Sequence, residues 1–422
     1  MKILRLRSYY YPENVSARHL SDDLDEAYLD RGIEQLIYTP LPTRGVTKEQ
    51  RKHYRMKKRE ILNNGLTVVN RFSIFKEYRN PYLRMIRYIL CNIIEYHKGI
   101  KAKDIDLVHA GSTPPTQGFI SALVSKKLSK RYKKKVPFVY NLQDIFPDSL
   151  VNIGMTKKGS LIWKIGRKIE NFTYNHADKI IVISDGFKKN IMEKGVPDSK
   201  IVVVSNWADL NAVNPVSRAN NTLFDEYNID RRNFIVLYAG NIGEAQGADV
   251  ILDSAKQLKD NMDIQFVIFG GGARYPDLVS RAVTEKITNV FITSLQPQER
   301  VSEVYSMGNI ALITCKPGTG NAGMPSKIWS IMACNTPIIA SFDTSSDLAD
   351  VIRESGAGCC IEPGNAKALA DEVLKSYKVW KQGSVNNINI REYAIKIASK
   401  ESCVQKYIDT LLKAVDESSR RK

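Results

Sequence analysis

Cysteine and histidine are scarce in this chain of 422 residues, with six of one and five of the other. Cys91, Cys315, Cys334, Cys359, Cys360 and Cys403 form no C-x-x-C pair and no cluster with histidine. That argues against a disulfide framework or a structural zinc site, for a reducing compartment, and for no resident metal. Long apolar runs are missing too. Nothing approaches the roughly 18 uninterrupted apolar residues of a membrane span. The opening MKILRLRSYYYP is short and polar and reads as a first strand, not a secretory signal. Acidic residues are thin in the first half. Residues 1–200 hold 38 Lys and Arg against 20 Asp and Glu, while the remainder holds 24 against 25. The whole net charge of +17 therefore belongs to the first half.

That excess gathers in KEQRKHYRMKKR (48–59) and KKLSKRYKKK (126–135). Such runs are solvated faces, or they touch an anionic membrane, where each basic residue contributes about 1 kcal/mol. The sequence shows no helix-turn-helix, zinc-finger or stacking-platform pattern, so nucleic acid is not the expected partner.

What is present is an alternation of short β-like runs with amphipathic segments, which predicts an α/β fold with parallel sheets. Strands are expected at residues 3–7, 34–38, 67–72, 107–110, 138–142, 179–183 and 201–204. A second series follows at 234–239, 264–269, 290–293, 310–314, 337–340 and 358–361. Between the two series, residues 206–233 lose apolar periodicity and carry Pro215 and several Asn, which reads as a linker. Two doubly wound domains are implied, 1–205 and 206–388, with ligands expected at the C-terminal ends of the strands. Residues 81–99, PYLRMIRYILCNIIEYHKG, carry a broad apolar face flanked by Arg79, Arg84, Arg87 and Lys98. That pattern suits a core helix or a helix lying in a bilayer interface.

The most informative stretch is CKPGTGNAGMPSKIWSIMACNTPIIAS at 315–341. A strand ends in a loop with Gly318, Gly320 and Gly323, and Pro325 then opens a segment of helical spacing. Proline costs no hydrogen bond in a first helical turn. A glycine loop entering a helix start presents N–H groups and a positive dipole end to phosphate. Ser326 and Lys327 stand in that first turn.

The G-x-P-S-K-x-x-x-x-M-A pattern within it resembles the donor motif of family-4 glycosyltransferases of the GT-B fold, nearest the branch that builds bacterial surface polysaccharides. YYYPENVSARHLSDDL (9–24), NLQDIFPDSL (141–150), YAGNIGEAQGADVILDSA (238–255) and FGGGARYPDL (269–278) resemble further family elements in the same order. The resemblance implies two Rossmann-like domains facing across a cleft, with a C-terminal helix, 389–422, packing back on the first domain. It places the nucleotide-sugar donor on Gly240, Asn241, Gly243, Gln246, Gly270, Gly271, Ser294, Leu295, Pro325, Ser326, Lys327 and Ser330. The Arg and Lys usual in the first of these loops are replaced by Asn241 and Gln246, which leaves Lys327 as the expected charge partner of the diphosphate. The usual glutamate pair is also absent, with Ser330 at the second position. On the acceptor side, Ser16, Ala17, Arg18 and His19 are implied. Two catalytic candidates are His109, at a strand end, and Asp144, a carboxylate placed to bind or deprotonate a hydroxyl.

The resemblance thus implies a retaining transferase with no metal or other cofactor. It would move a sugar from a nucleotide sugar, expected to be a UDP-sugar, to a polyprenyl-diphosphate-linked saccharide in capsule or O-antigen assembly. Its place would be cytoplasmic, peripheral to the inner face of the membrane through the basic half. Two rivals are a nucleotide-sugar 2-epimerase of the same fold and a non-enzymatic basic protein that binds membrane or nucleic acid.

Overall fold

Hydrophobic alternation folds this chain into two separate sheets, each with its own core. The structure, a computed structural model, describes residues 1–13, 18–78, 80–152, 154–320, 324–383 and 389–420. It divides into one unit of Met1–Ser205 with Cys403–Lys422, and a second of Asn206–Ser402.

The first unit runs β1 (Lys2–Leu6), α1 (Arg18–Asp30), β2 (Glu34–Pro40), α2 (Lys48–Met56), β3 (Arg59–Leu62), β4 (Thr67–Phe72), α3 (Pro81–Gly99), β5 (Leu107–Gly111) and α4 (Gln117–Tyr132). It continues with β6 (Phe138–Leu142), α5 (Asp148–Asn152), α6 (Leu161–His176), β7 (Lys179–Val182), α7 (Asp185–Glu193) and β8 (Ile201–Val203). The described strands form one eight-stranded sheet in the order β3-β4-β2-β1-β5-β6-β7-β8. Every pairing is parallel except β3 with β4. β3 was not expected, because it begins inside the basic run 48–59. That run is two elements. Thr47 caps α2 through a reciprocal bond pair with Gln50, and Arg59 starts the edge strand, where Glu60 is buried against Arg71 Nε at 3.0 Å.

The second unit runs α8 (Leu223–Glu226), β9 (Phe234–Asn241), α9 (Asp249–Gln257), β10 (Ile264–Gly271), α10 (Tyr275–Thr284), β11 (Val290–Ser294), α11 (Val301–Met307) and β12 (Ile310–Thr314). It continues with α12 (Lys327–Ala333), β13 (Ile338–Ser341), α13 (Asp347–Ser355), β14 (Gly358–Ile361), α14 (Ala366–Lys381) and α15 (Ile390–Ala398). A last helix, α16 (Lys400–Arg420), joins the first unit from Cys403 onward. The six-stranded sheet β11-β10-β9-β12-β13-β14 is parallel throughout. Strand parity decides which core each side chain enters. Ile235, Leu237 and Ala239 of β9 join a cluster with α11, α12, α13 and α15. Phe234, Val236 and Tyr238 join one with α9, α10 and α14. Full burial of such a side chain stabilises by about 1.5–3 kcal/mol.

Two expectations need correction. Residues 206–233 are not a free linker. Leu210, Val213, Leu223, Phe224 and Ile229 are buried in the second unit's core. Arg218 and Arg231 lie over the Phe224 ring at 4.9 and 5.4 Å and donate to backbone carbonyls of this segment. Nor does 389–422 return as one helix. Ile390, Ala394 and Ala398 of α15 are buried in the second unit beside α12, and only the part from Cys403 groups with the first.

Helix α3 is inverted. Its inward face carries Arg87, Cys91, Asn92 and Glu95, all buried. The Glu95 carboxylate accepts from Gln117 Nε2 at 2.9 Å and Asn92 Nδ2 at 3.2 Å. Arg87 Nε donates to the Phe75 carbonyl at 3.3 Å. Tyr82, Met85, Ile86, Ile89, Leu90 and Ile93 face outward, 41% to 74% exposed. The apolar stripe therefore does not enter the first unit's core.

Two measurements check these packing arguments. Phe224→Ala should cost roughly 3–5 kcal/mol in chemical denaturation, the range for a buried aromatic, whereas a linker residue would cost almost nothing. Burial raises the Glu95 pKa to about 7. Its folded pKa thus exceeds the unfolded value, so stability is lost as pH rises from about 4.5 to about 7. Glu95→Gln should flatten that part of the stability profile.

Candidate functional site

In the second sheet, β10 and β11 follow on one side of β9 while β12, β13 and β14 lie on the other. Loops part at such a switch point, just beyond the strand ends. Here the loops after β9 and β12 are tied together. Thr314 Oγ1 donates to the Gln246 carbonyl at 2.7 Å, and the Lys316 N–H to that of Ala245 at 2.8 Å.

Lys327, the first residue of α12, reaches back to this point. Its Nζ lies 4.0 Å from the centroid of the Tyr238 ring and donates to the Ala239 carbonyl at 3.3 Å. Among the described residues no carboxylate pairs with it. Lost hydration, uncompensated by an anion, pulls its pKa from 10.5 down to about 7. Gly240 has φ +145°, and a Cβ there would stand 3.5 Å from Nζ. The glycine keeps space open beside the ammonium.

The neighbouring cations are already matched. A cavity of about 170 Å³ is lined by Ile242, Gly243, Glu244, Gly247, Arg274 and Lys316, among others. Glu244 pairs with Arg274 at 3.1 Å and with Lys316 at 3.0 Å. Lys327 does not line this cavity.

Other donor candidates have mixed fates. Asn241 Nδ2 donates to Gln246 Oε1 at 3.1 Å, and the same oxygen accepts the Gly243 N–H at 3.1 Å. These residues build the turn and supply no charge. A Cβ on Gly270 would run into Ile242, and one on Gly271 would stand 3.2 Å from Leu295. Ser294 and Leu295 are exposed there. The helix expected from Pro325 starts at Lys327 and has seven residues. Pro325 supplies the carbonyl that accepts the Ile328 N–H, and Ser326 makes no side-chain cap bond. Ser330 lies one turn further along α12. Two amides of the glycine loop, among the described residues, are already taken. Gly318 and Gly320 donate to the two oxygens of Asp343, at 3.0 and 2.6 Å.

In the first unit, Asp144 lies just past β6. Its N–H and that of Gln143 donate to Ser112 Oγ at 3.1 and 2.9 Å, which joins the loops after β5 and β6. The residue is exposed, yet the surrounding loops desolvate the carboxyl enough to raise its pKa. Among the described residues no cation pairs with it, and a carboxylate of raised basicity suits proton acceptance. Asp148, by contrast, is held by Lys194 at 2.7 Å. His109 is a correction. It is buried in β5, its Nε2 lies 2.6 Å from the Tyr407 hydroxyl of α16, and burial, with Arg5 and Arg7, drives its pKa well below 6.5. A neutral ring sealed under a helix cannot serve an acceptor. Arg18 begins α1, paired with Asp22 at 3.0 Å and lying over the Tyr11 ring at 4.9 Å. His19 follows it on the helix, exposed. Ser16 and Ala17 lie outside the described residues.

Sequence reasoning missed Tyr238, the Ala239 carbonyl and Asp343. The YAGN motif was read for its glycine, although the tyrosine before it forms the seat of the ammonium.

The description "Glycosyltransferase Family 4" matches residues 17–212, and "Glycosyl transferases group 1" matches residues 220–400. The probable glycosyltransferase WbjE of Pseudomonas aeruginosa is 28% identical over 280 residues, covering 65% of this chain and 68% of that protein. The putative colanic acid biosynthesis glycosyl transferase WcaI of Escherichia coli is 25% identical over 277 residues, covering 65% and 67%. HepE from Anabaena, solved in complex with UDP, superposes with a TM-score of 0.69 at 15% identity, covering 98% of this chain and 100% of that one. At that identity the likeness establishes the fold alone.

Because Lys327 is depressed below its unfolded value, the unfolded chain binds the extra proton between about pH 7 and 10.5. Stability should rise with pH across that window, and Lys327→Met should remove the rise. Denaturant titrations at pH 6.5 and pH 9 measure both.

Proposed function

The chain belongs to the glycosyltransferases of the GT-B fold, family 4 in residues 17–212 and group 1 in residues 220–400, and on that footing we propose that it moves a sugar from a UDP-sugar to a saccharide carried on polyprenyl diphosphate during surface-polysaccharide assembly. The observation that carries the donor half is the unpaired, desolvated ammonium of Lys327 at the switch point of the second sheet. A diphosphate placed there supplies the missing counter-charge and restores the proton. The UDP seen in HepE and the pathway in WcaI's name support the choice of donor and pathway.

In the proposed reaction the bond from the anomeric carbon to the diphosphate oxygen breaks, and its electron pair stays on the diphosphate. Lys327 stabilises that developing charge without rearranging, because its partly buried ammonium is already held in place by Tyr238 and the Ala239 carbonyl. The acceptor hydroxyl bonds to the anomeric carbon on the same face and gives its proton to the leaving phosphate oxygen, so configuration is retained. Asp144 orients that hydroxyl. Leu295, exposed beside Gly271, faces the base, and Ser330 stands near the ribose in place of a carboxylate. Because Lys327 supplies the positive charge, no resident metal enters the scheme. The lipid carrier places the reaction at the inner face of the membrane.

UDP should stabilise the protein in a thermal-shift titration. Lys327→Met should weaken UDP binding by roughly 10- to 100-fold, the equivalent of about 1.5–3 kcal/mol for a charge-assisted bond. Affinity in the wild type should fall as pH rises above about 7, since binding requires the protonated lysine, and the variant should show no such dependence. Excess EDTA should leave turnover unchanged. Equal UDP affinity in the wild type and the variant would refute the donor site.

A further inference from the structure

The inverted polarity of α3 calls for a partner outside the fold. A helix of 19 residues, about 28 Å long, turns its apolar stripe to solvent. It cannot roll over, because its inward face is tied down. Glu95 is bonded to Gln117 and Asn92, Arg87 to the Phe75 carbonyl, and Gly99 lies so close to Val124 of α4 that a Cβ would stand 3.0 Å away. The exposure is imposed by the fold.

A second stripe lies on the same side of the sheet. α3, α4 and α6 are right-handed crossovers that step in one direction, β4 to β5, β5 to β6 and β6 to β7. They therefore cover one face of the sheet, and α4 touches both α3 and α6. Leu161, Ile162 and Ile165 at the start of α6, with Met155 before it, are 50% to 73% exposed. In α3 the exposed apolar residues run from Tyr82 to Ile93 and in α6 they fall in the first five residues, so both stripes begin at the edge where the strands end and Asp144 lies.

Charge names the occupant. Lys157, Lys158, Lys164 and Lys168 are exposed around the α6 stripe. α2 and the residues after it expose Lys48, Lys52, Arg55, Lys57 and Lys58. Apolar stripes bordered by cations fit an anionic bilayer, not another copy of so basic a surface. No helix among the described residues is long and apolar enough to cross a membrane, so this face lies on it.

We propose that α3 and the start of α6 form one membrane-docking face, with their apolar stripes in the acyl boundary of an anionic bilayer and the surrounding lysines and arginines on its phosphates. The proposal deepens the lipid-carrier reading above, since it brings the Asp144 edge to the surface where such an acceptor lies.

The test is co-sedimentation of the full chain with vesicles of equal phosphatidylglycerol and phosphatidylcholine, and with phosphatidylcholine alone. The wild type should pellet with the first and not the second, and binding should weaken sharply at high salt. Ile86→Glu with Ile89→Glu, and separately Lys157→Glu with Lys164→Glu, should each lower partitioning at least tenfold. The UDP-induced thermal shift should be unchanged in both, which shows that they fold. Wild type left in the supernatant, or variants that bind as the wild type does, overturns the proposal. So does a dimer that the Ile86/Ile89 variant dissolves, with no vesicle binding, because a second copy then covers the face. A lost UDP shift in the wild type with intact vesicle binding would count against the donor reading alone.

Discussion

A partly buried ammonium with no carboxylate beside it among the described residues is the constraint around which the second unit's candidate site is arranged. Tyr238 supplies a ring face and Ala239 a carbonyl, and neither cancels the charge of Lys327. Among the described residues, the nearby Arg274 and Lys316 are neutralised by Glu244. The amides of Gly318 and Gly320 are likewise taken, by Asp343. Among the described residues the switch point thus leaves the Lys327 charge unmatched, and the proposed diphosphate would supply its counter-charge. Such a lysine costs stability in the empty protein, and binding recovers that cost, so affinity and pH dependence share one origin.

The first unit carries the opposite tension. Arg87 and Glu95 face inward on α3 and apolar side chains face outward. Burying charge is tolerated where hydrogen bonds satisfy it, as Gln117 and Asn92 do for Glu95. That arrangement trades some stability of the free protein for a surface that a bilayer can cover. Positive charge is concentrated in residues 1–200. Part of the charge serves the fold, since Arg131 caps the carbonyls of Ile100 and Ala102, and Lys135 pairs with Asp178. The rest stays in solvent beside the apolar stripes.

Most strands were legible because they read as short apolar runs. Residues 67–72, 138–142, 310–314 and 358–361 have the expected bounds. β3 was not legible, since an edge strand has one partner and its sequence, Arg-Glu-Ile-Leu, carries no alternation of its own. The segment 206–233 was misread because its core contacts come from Leu210, Val213, Leu223, Phe224 and Ile229, whose spacing matches neither a helix nor a strand. His109 was misread because position at a strand end does not reveal that Tyr407, nearly 300 residues later, closes over it.

Sequence alone determined the alternating α/β plan, the position of the strands and the asymmetry of charge, because each rests on local periodicity or composition. Tertiary structure decided which charges stay unmatched and which face of α3 meets solvent. Those depend on partners distant in the chain, Tyr238 for Lys327 and Gln117 for Glu95. Hydration is lost, and charge is cancelled or left bare, only when such partners are brought together.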